Sequence, residues 1–160
     1  MIDAVGVVVP AHDEEELLPA CLAALSEAVA TVTAERPGLR VRIVVAADAC
    51  TDDTAAVARR AGVGLVSLDS ENVGTARAAG LRELLRPGAP AWDGRRPDPG
   101  RLWLATTDAD SVVPARWLAD QLRYADAGWE ADLQAAEAAD AGRRDRYIIC
   151  EVVRIKDDAE

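Results

Sequence analysis

The chain has 160 residues, half of them hydrophobic, with no phenylalanine and a formal net charge of −10. That length suits one domain with a real core, and the acidic balance excludes a phosphate backbone as ligand, so no nucleic-acid partner is expected. Cys21, Cys50 and Cys150 lie far apart, with neither zinc spacing nor a disulfide framework, and no run reaches the ~18 to 20 apolar residues of a membrane span; a cytoplasmic protein with no transmembrane segment is the expectation.

Ala4 to Val9 is a continuous, largely β-branched run and reads as a strand buried on both faces, stopped by Pro10. Asp13, with Glu16 three residues on, has the spacing of a capping box. The helix that follows repeats Leu17, Leu18, Cys21, Leu22, Leu25, Val29 and Val32 at helical intervals and ends near Arg36-Pro37-Gly38. Val41 to Ala46 is the second strand; Thr51-Asp52-Asp53-Thr54 opens a second helix, closed by Gly62. A third strand covers 63–68, and a third helix runs from about Thr75 to Arg86 after Asn72-Val73-Gly74. The Pro- and Gly-rich stretch 87–100 reads as a surface loop. Leu102 to Ala105 is the fourth strand, Pro114 opens a helix through about Gly128, residues 130–140 are helix-prone, and 147–155 form the last strand.

This alternation predicts one α/β domain over residues 1–160. Its sheet is mostly parallel and Rossmann-like, with helices on both faces. Ligands of such sheets bind beyond the carboxyl ends of the strands. His12, Asp48, Gly74 and Asp108 all fall there.

Four segments carry the candidate chemistry. Pro10-Ala11-His12-Asp13-Glu14 follows the first strand; taken alone it is an ordinary acidic helix start, and it also offers His12 and Glu14 to a base. After the second strand, Asp48 is placed to accept hydrogen bonds from a nucleobase or ribose, while Asp52 and Asp53 suit a helix start and Cys50 a small buried filler. Gly74 and Arg77 sit where backbone N–H groups and a guanidinium can hold a diphosphate, or else form a plain turn and a surface arginine. Asp108 and Asp110, one residue apart at the end of a buried strand, are either solvated loop acids or a hard-oxygen site for Mg²⁺ or Mn²⁺. The context of the other three segments favours the metal.

Together the stretches Val-Val-Val-Pro-Ala-His-Asp-Glu-Glu at 7–15, Ala-Asp-Ala-Cys-Thr-Asp-Asp-Thr at 47–54, Asn-Val-Gly-Thr-Ala-Arg at 72–77 and Asp-Ala-Asp at 108–110 resemble family 2 glycosyltransferases of the GT-A fold. The resemblance is clearest over 1–128 and covers the nucleotide-sugar-binding half. It implies that Pro10, Ala11, His12, Glu14 and Asp48 meet the nucleoside, often uridine in this family, and that Gly74 and Arg77 lie near the diphosphate. It implies further that Asp108 meets ribose or metal, that Asp110 binds Mn²⁺ or Mg²⁺, and that the sugar is transferred with inversion. The expected partners are a nucleoside-diphosphate sugar, a UDP-sugar foremost, an unknown acceptor, and a partner chain or second copy to complete the acceptor side.

The chain departs from the family pattern in His12, in Ala46-Ala47-Asp48-Ala49, in Ala78, and above all in ending about fifty residues after Asp110. No segment matches the family's base motif, so the catalytic residue is unknown. The fold is expected to be a GT-A sandwich truncated on its C-terminal side. Two functions follow: a glycosyltransferase binding donor and metal, or a non-catalytic nucleotide-binding or interaction protein derived from one. A nucleotidyltransferase ranks behind both, because the loop after the first strand is acidic rather than Gly-rich and basic.

Overall fold

A computed structural model of the chain describes residues 1–86, 92, 95, 97–127 and 148–151. The elements run β1 (Ala4–Ala11), α1 (Leu18–Glu35), β2 (Arg40–Asp48), α2 (Thr54–Arg60), β3 (Gly64–Leu68), α3 (Val73–Leu85), a 3₁₀ turn at Pro99–Arg101, β4 (Leu102–Thr106), α4 (Trp117–Asp126) and β5 (Ile148–Glu151). The five strands form one sheet in the order β3-β2-β1-β4-β5, with every pairing parallel. The helix expected at 130–140, the end of the fourth helix at Gly128, Tyr147 and residues 152–155 lie outside the described residues.

Alternation along β1 explains why its run is uniformly apolar. Val5, Val7, Val9 and Ala11 pack with α1 and α4 on one face, whereas Ala4 and Val8 pack with Leu81 and Leu84 of α3 on the other. A strand covered on both faces has no side for polar residues. The sheet thus carries helices on both faces, as the alternation of elements implies. On the α3 face the approach is close: a Cβ on Gly80 would overlap Val8 Cγ1 and stand 3.2 Å from Cγ2.

Helix α1, at 18 residues and mean hydropathy 1.2, is long and apolar enough to cross a membrane by length and composition alone. In the fold its Leu18, Cys21, Leu22, Leu25, Ala28 and Val32 stripe is buried against the sheet.

Several local expectations change. Pro10 does not stop β1, which continues to Ala11 paired with Ala47. Val8 C=O accepts from Thr107 N–H on the β4 side, so two residues on, the missing N–H of Pro10 faces the side where the β4 ladder has ended. Asp13 does not cap α1: the helix starts at Leu18 with Pro19 in its first turn, and no side chain caps it. Gly74 lies inside the first turn of α3, because Asn72 caps that helix by accepting from Thr75 N–H at 2.9 Å. Trp92, within the stretch read as surface loop, is buried, and its Nε1–H donates to Leu84 C=O at 2.7 Å.

Candidate functional site

The strand order places the topological switch between β1 and β4. From β1 the chain proceeds outward through β2 and β3, then returns to β4 on the other side. The loops after β1 and β4 therefore diverge, and a crevice opens at the carboxyl ends of the strands. A cavity of about 560 Å³ lies at that end. Pro10, Ala11, His12, Glu14, Asp48, Asp108 and Asp110 all line it, together with Glu71, Asn72, Val73, Ala76 and Ala109. Gly74 and Arg77 are not among the lining residues; Arg77 reaches the site through Asp108, with Nη2 3.1 Å from Oδ1.

Each of the loops after β1, β2 and β3 holds one non-glycine residue in the left-handed region: Asp13 (φ 50°), Ala49 (φ 49°) and Glu71 (φ 49°). Hydrogen bonds hold these unfavourable turns. The Asp13 carboxylate accepts from Thr51 N–H at 2.7 Å and from Asp52 N–H at 3.3 Å. Ala49 N–H donates to Leu68 C=O at 2.8 Å, and Glu71 N–H donates to Asp48 Oδ1 at 3.2 Å. The acids of the 47–54 segment serve the same end. Asp52 accepts from Thr54 N–H and Oγ1–H and from Glu15 N–H, and these bonds outweigh the cost of its desolvation and hold its carboxyl below the usual range. Glu15 in turn accepts from Asp53 N–H at 2.8 Å, so the β1–α1 and β2–α2 loops are laced together.

Asp48 is the most connected carboxylate here. Ser70 N–H (2.6 Å) and Glu71 N–H (3.2 Å) donate to Oδ1; Ser70 Oγ–H (2.8 Å) and Asn72 N–H (2.8 Å) donate to Oδ2. The residue is 4% exposed. Desolvation alone would raise its pKa, but the four donors reverse the sign and lower it. Asp48 therefore shapes the β3–α3 loop, presenting Glu71, Asn72 and Val73 to the cavity. The sequence position alone did not point to this anchoring, although Ser70 and Asn72 after a strand supply the donors such a carboxylate needs.

His12, the chain's only histidine, has an exposed ring whose Nδ1 donates to Asp48 C=O at 2.7 Å. That bond, aided by the charges of Asp13, Asp48 and Glu71 against some desolvation, raises its pKa above 6.5. With Nδ1–H engaged, the proton gained or lost is the one at Nε2.

On the β4 side, Asp108 and Asp110 stand above Cys21 of α1, whose Sγ–H donates to Asp108 C=O at 3.5 Å. Burial, then the charges of Asp110, Asp108 and Glu14, push this thiol up to about 12. The charges of three cavity-lining carboxylates are thus felt at one buried thiol. Five carboxylates line the cavity in all: Glu14, Asp48, Glu71, Asp108 and Asp110. An anionic ligand entering such a cavity needs a cation, and an all-oxygen donor set suits Mg²⁺ or Mn²⁺. A second grouping, Asp13, Cys50 and Asp52, has donor atoms within 4.8 Å of one another, but both carboxylates are engaged in the loop bonds above.

The comparisons with known proteins concern the fold and the family. No curated protein matches the chain. Among solved structures it is similar to S. aureus TarS 1-349, with TM-score 0.52 and 18% identity over 78% of this chain and 32% of that one. It is also similar to S. aureus TarS, with TM-score 0.51 and 18% identity over 78% of this chain and 20% of that one. At this identity the likeness concerns the fold, and the chain spans about a third or less of those proteins' length. The profile of glycosyl transferase family 2 matches residues 6–148, from within β1 to the start of β5 and through every loop that lines the cavity, and the chain belongs to that family.

Proposed function

We propose that the cavity at the β1/β4 switch binds a nucleoside-diphosphate sugar, a UDP-sugar foremost, with Mn²⁺ or Mg²⁺, for inverting transfer of the sugar to an acceptor hydroxyl. The observation that carries this reading is the lining itself: one ionisable histidine and five carboxylates around about 560 Å³ at the switch point, in a family 2 chain. A volume of that order suits a nucleotide.

In this reading the nucleoside lies against Pro10, Ala11 and His12, beside the loop that Asp48 holds. The N-terminal turn of α3, with the backbone N–H groups of Val73 and Gly74, faces the diphosphate, and Arg77 adds a guanidinium from the same helix. Asp108 and Asp110 would hold the metal, which when bound supplies positive charge to offset that of the departing diphosphate. The acceptor hydroxyl forms the new bond to the anomeric carbon as the bond to the diphosphate oxygen breaks, and the hydroxyl proton passes to a base that remains unassigned in this chain.

The test is a product assay with UDP-sugars, Mn²⁺ and a broad acceptor panel, run beside Asp110→Asn. Metal-dependent transfer that fails in the variant supports the enzyme. Donor binding without turnover supports the non-catalytic nucleotide-binding alternative. Absence of donor binding removes both.

A further inference from the structure

Arg77 and Asp108 make an ion pair on the diphosphate side of the cavity, 3.1 Å between Nη2 and Oδ1. The Arg77 side chain is 22% exposed and that of Asp108 50%, so the pair sits at the cavity wall rather than in open solvent. The two residues come from opposite sides of the switch, Arg77 from the first turns of α3 and Asp108 from the loop after β4. Arg77 lies outside the lining, Asp108 within it. The guanidinium thus neutralises, from behind, a carboxylate that otherwise faces a cavity lined by four other acids.

A guanidinium and a divalent cation on one carboxylate repel each other and compete for its oxygens. A diphosphate changes the balance, because a guanidinium binds phosphate oxygens with short, charge-assisted and often paired hydrogen bonds. We propose that Arg77 is an internal counter-ion for Asp108 that keeps the carboxylate pair poor at holding a bare cation until a diphosphate draws the guanidinium off. The inference rests on the reading of Asp108 and Asp110 as the metal's ligands. It adds an order to that reading: nucleotide and metal load together, and bare metal does not load first. By linkage, each then raises the other's affinity by the same factor. The arrangement offsets the charge of Asp108 in the ligand-free protein and opposes its filling by free cation. Arg77 acts through Asp108, as a positioning residue.

The experiment titrates the whole chain with Mn²⁺ alone, reading free aqueous Mn²⁺ by electron paramagnetic resonance, for the parent, Arg77→Gln and Asp110→Asn. The titration is then repeated with saturating UDP. Far-ultraviolet circular dichroism checks that each variant folds, and Arg77→Met serves as a second neutral variant. The expected result is that both neutral variants at position 77 bind Mn²⁺ alone about three- to tenfold more tightly than the parent, the scale of one nearby charge in a largely solvated site. Asp110→Asn binds it more weakly. If the parent and both position-77 variants bind Mn²⁺ alone equally, while UDP still strengthens metal binding, the counter-ion role is overturned and the donor-site reading stands. If no chain binds Mn²⁺ even with UDP present, the metal reading falls and this inference falls with it.

Discussion

The close approach of α3 to β1 makes a prediction with an unusual sign. Gly80 faces Val8 at a point where a Cβ would overlap Cγ1 and crowd Cγ2 at 3.2 Å. Val8 is fully buried in the central strand, and its branched side chain has little rotamer freedom with which to give way. In the parent, Gly80→Ala should therefore cost about 1 to 3 kcal/mol of overpacking, partly offset by about 1 kcal/mol of helix propensity. The net is a loss of about 0 to 2 kcal/mol. Val8→Ala should cost about 2 kcal/mol for two buried methyl groups and the space they leave. In the Val8→Ala background the obstacle is gone, so Gly80→Ala should there stabilise, by up to about 1 kcal/mol.

Urea denaturation of the four proteins measures this cycle, with m compared to confirm that the unfolding reaction is unchanged. Arg77 lies one helical turn before Gly80, so displacement of α3 in the single variant should also weaken UDP binding, and the double variant should recover it. Two outcomes refute the reasoning: Gly80→Ala more stable than the parent, or the same effect in both backgrounds. Either would mean that α3 does not seat on Val8, and the placement of Arg77 and Asn72 would lose its basis.

Asp48→Asn replaces a four-donor carboxylate with an amide whose NH₂ meets N–H groups; UDP affinity should fall by about tenfold or more, and hydrogen exchange at residues 69–72 should quicken. The depressed pKa of Asp48 makes its contribution to stability present above the ordinary value of 3.8 and lost as pH falls through the lowered one, so an acid titration of the parent should show loop opening there that Asp48→Asn lacks. For His12 the sign is opposite. Its pKa is raised, chiefly by the bond to Asp48 C=O, so the contribution of the cation is fully present below 6.5 and is lost as pH rises through the raised value. UDP affinity measured across that window should fall with rising pH in the parent and stay flat in His12→Gln. Cys21, with its thiol pushed up to about 12, should resist iodoacetamide in the native protein at pH 8, where only about one molecule in ten thousand carries the thiolate, as peptide mass spectrometry can read.

The fold was legible because its strands are apolar runs punctuated by Gly, Pro and acid-rich turns, and because strand and helix alternate strictly. The sequence could not reveal which strands are neighbours: that β1 sits centrally, with the switch between it and β4, depends on tertiary packing. The errors were local. Pro10 looked like a terminator because a proline usually breaks a ladder, yet its absent N–H faces a side where no ladder remains. Asp13 looked like a cap by spacing, yet it sits at positive φ and bonds across to Thr51, a contact 38 residues distant that no local pattern encodes. Seven of the expected residues, Pro10, Ala11, His12, Glu14, Asp48, Asp108 and Asp110, line the cavity because strand ends can be read from the sequence, whereas Gly74 and Arg77 do not line it. The Asp48 anchoring of residues 70–72 and the Arg77–Asp108 pair could not be read there, since both join loops from different parts of the chain.

The central claim is that the acidic cavity takes a nucleoside diphosphate together with a divalent cation. Calorimetric titration of the chain with UDP, in Mn²⁺ and again in excess chelator, tests it most directly. Bare diphosphate should be repelled by Asp108, Asp110 and their neighbouring acids, so the account predicts saturable binding with Mn²⁺ and at least about tenfold weaker binding without it. Equal affinity in both conditions, or no binding in either, would contradict it.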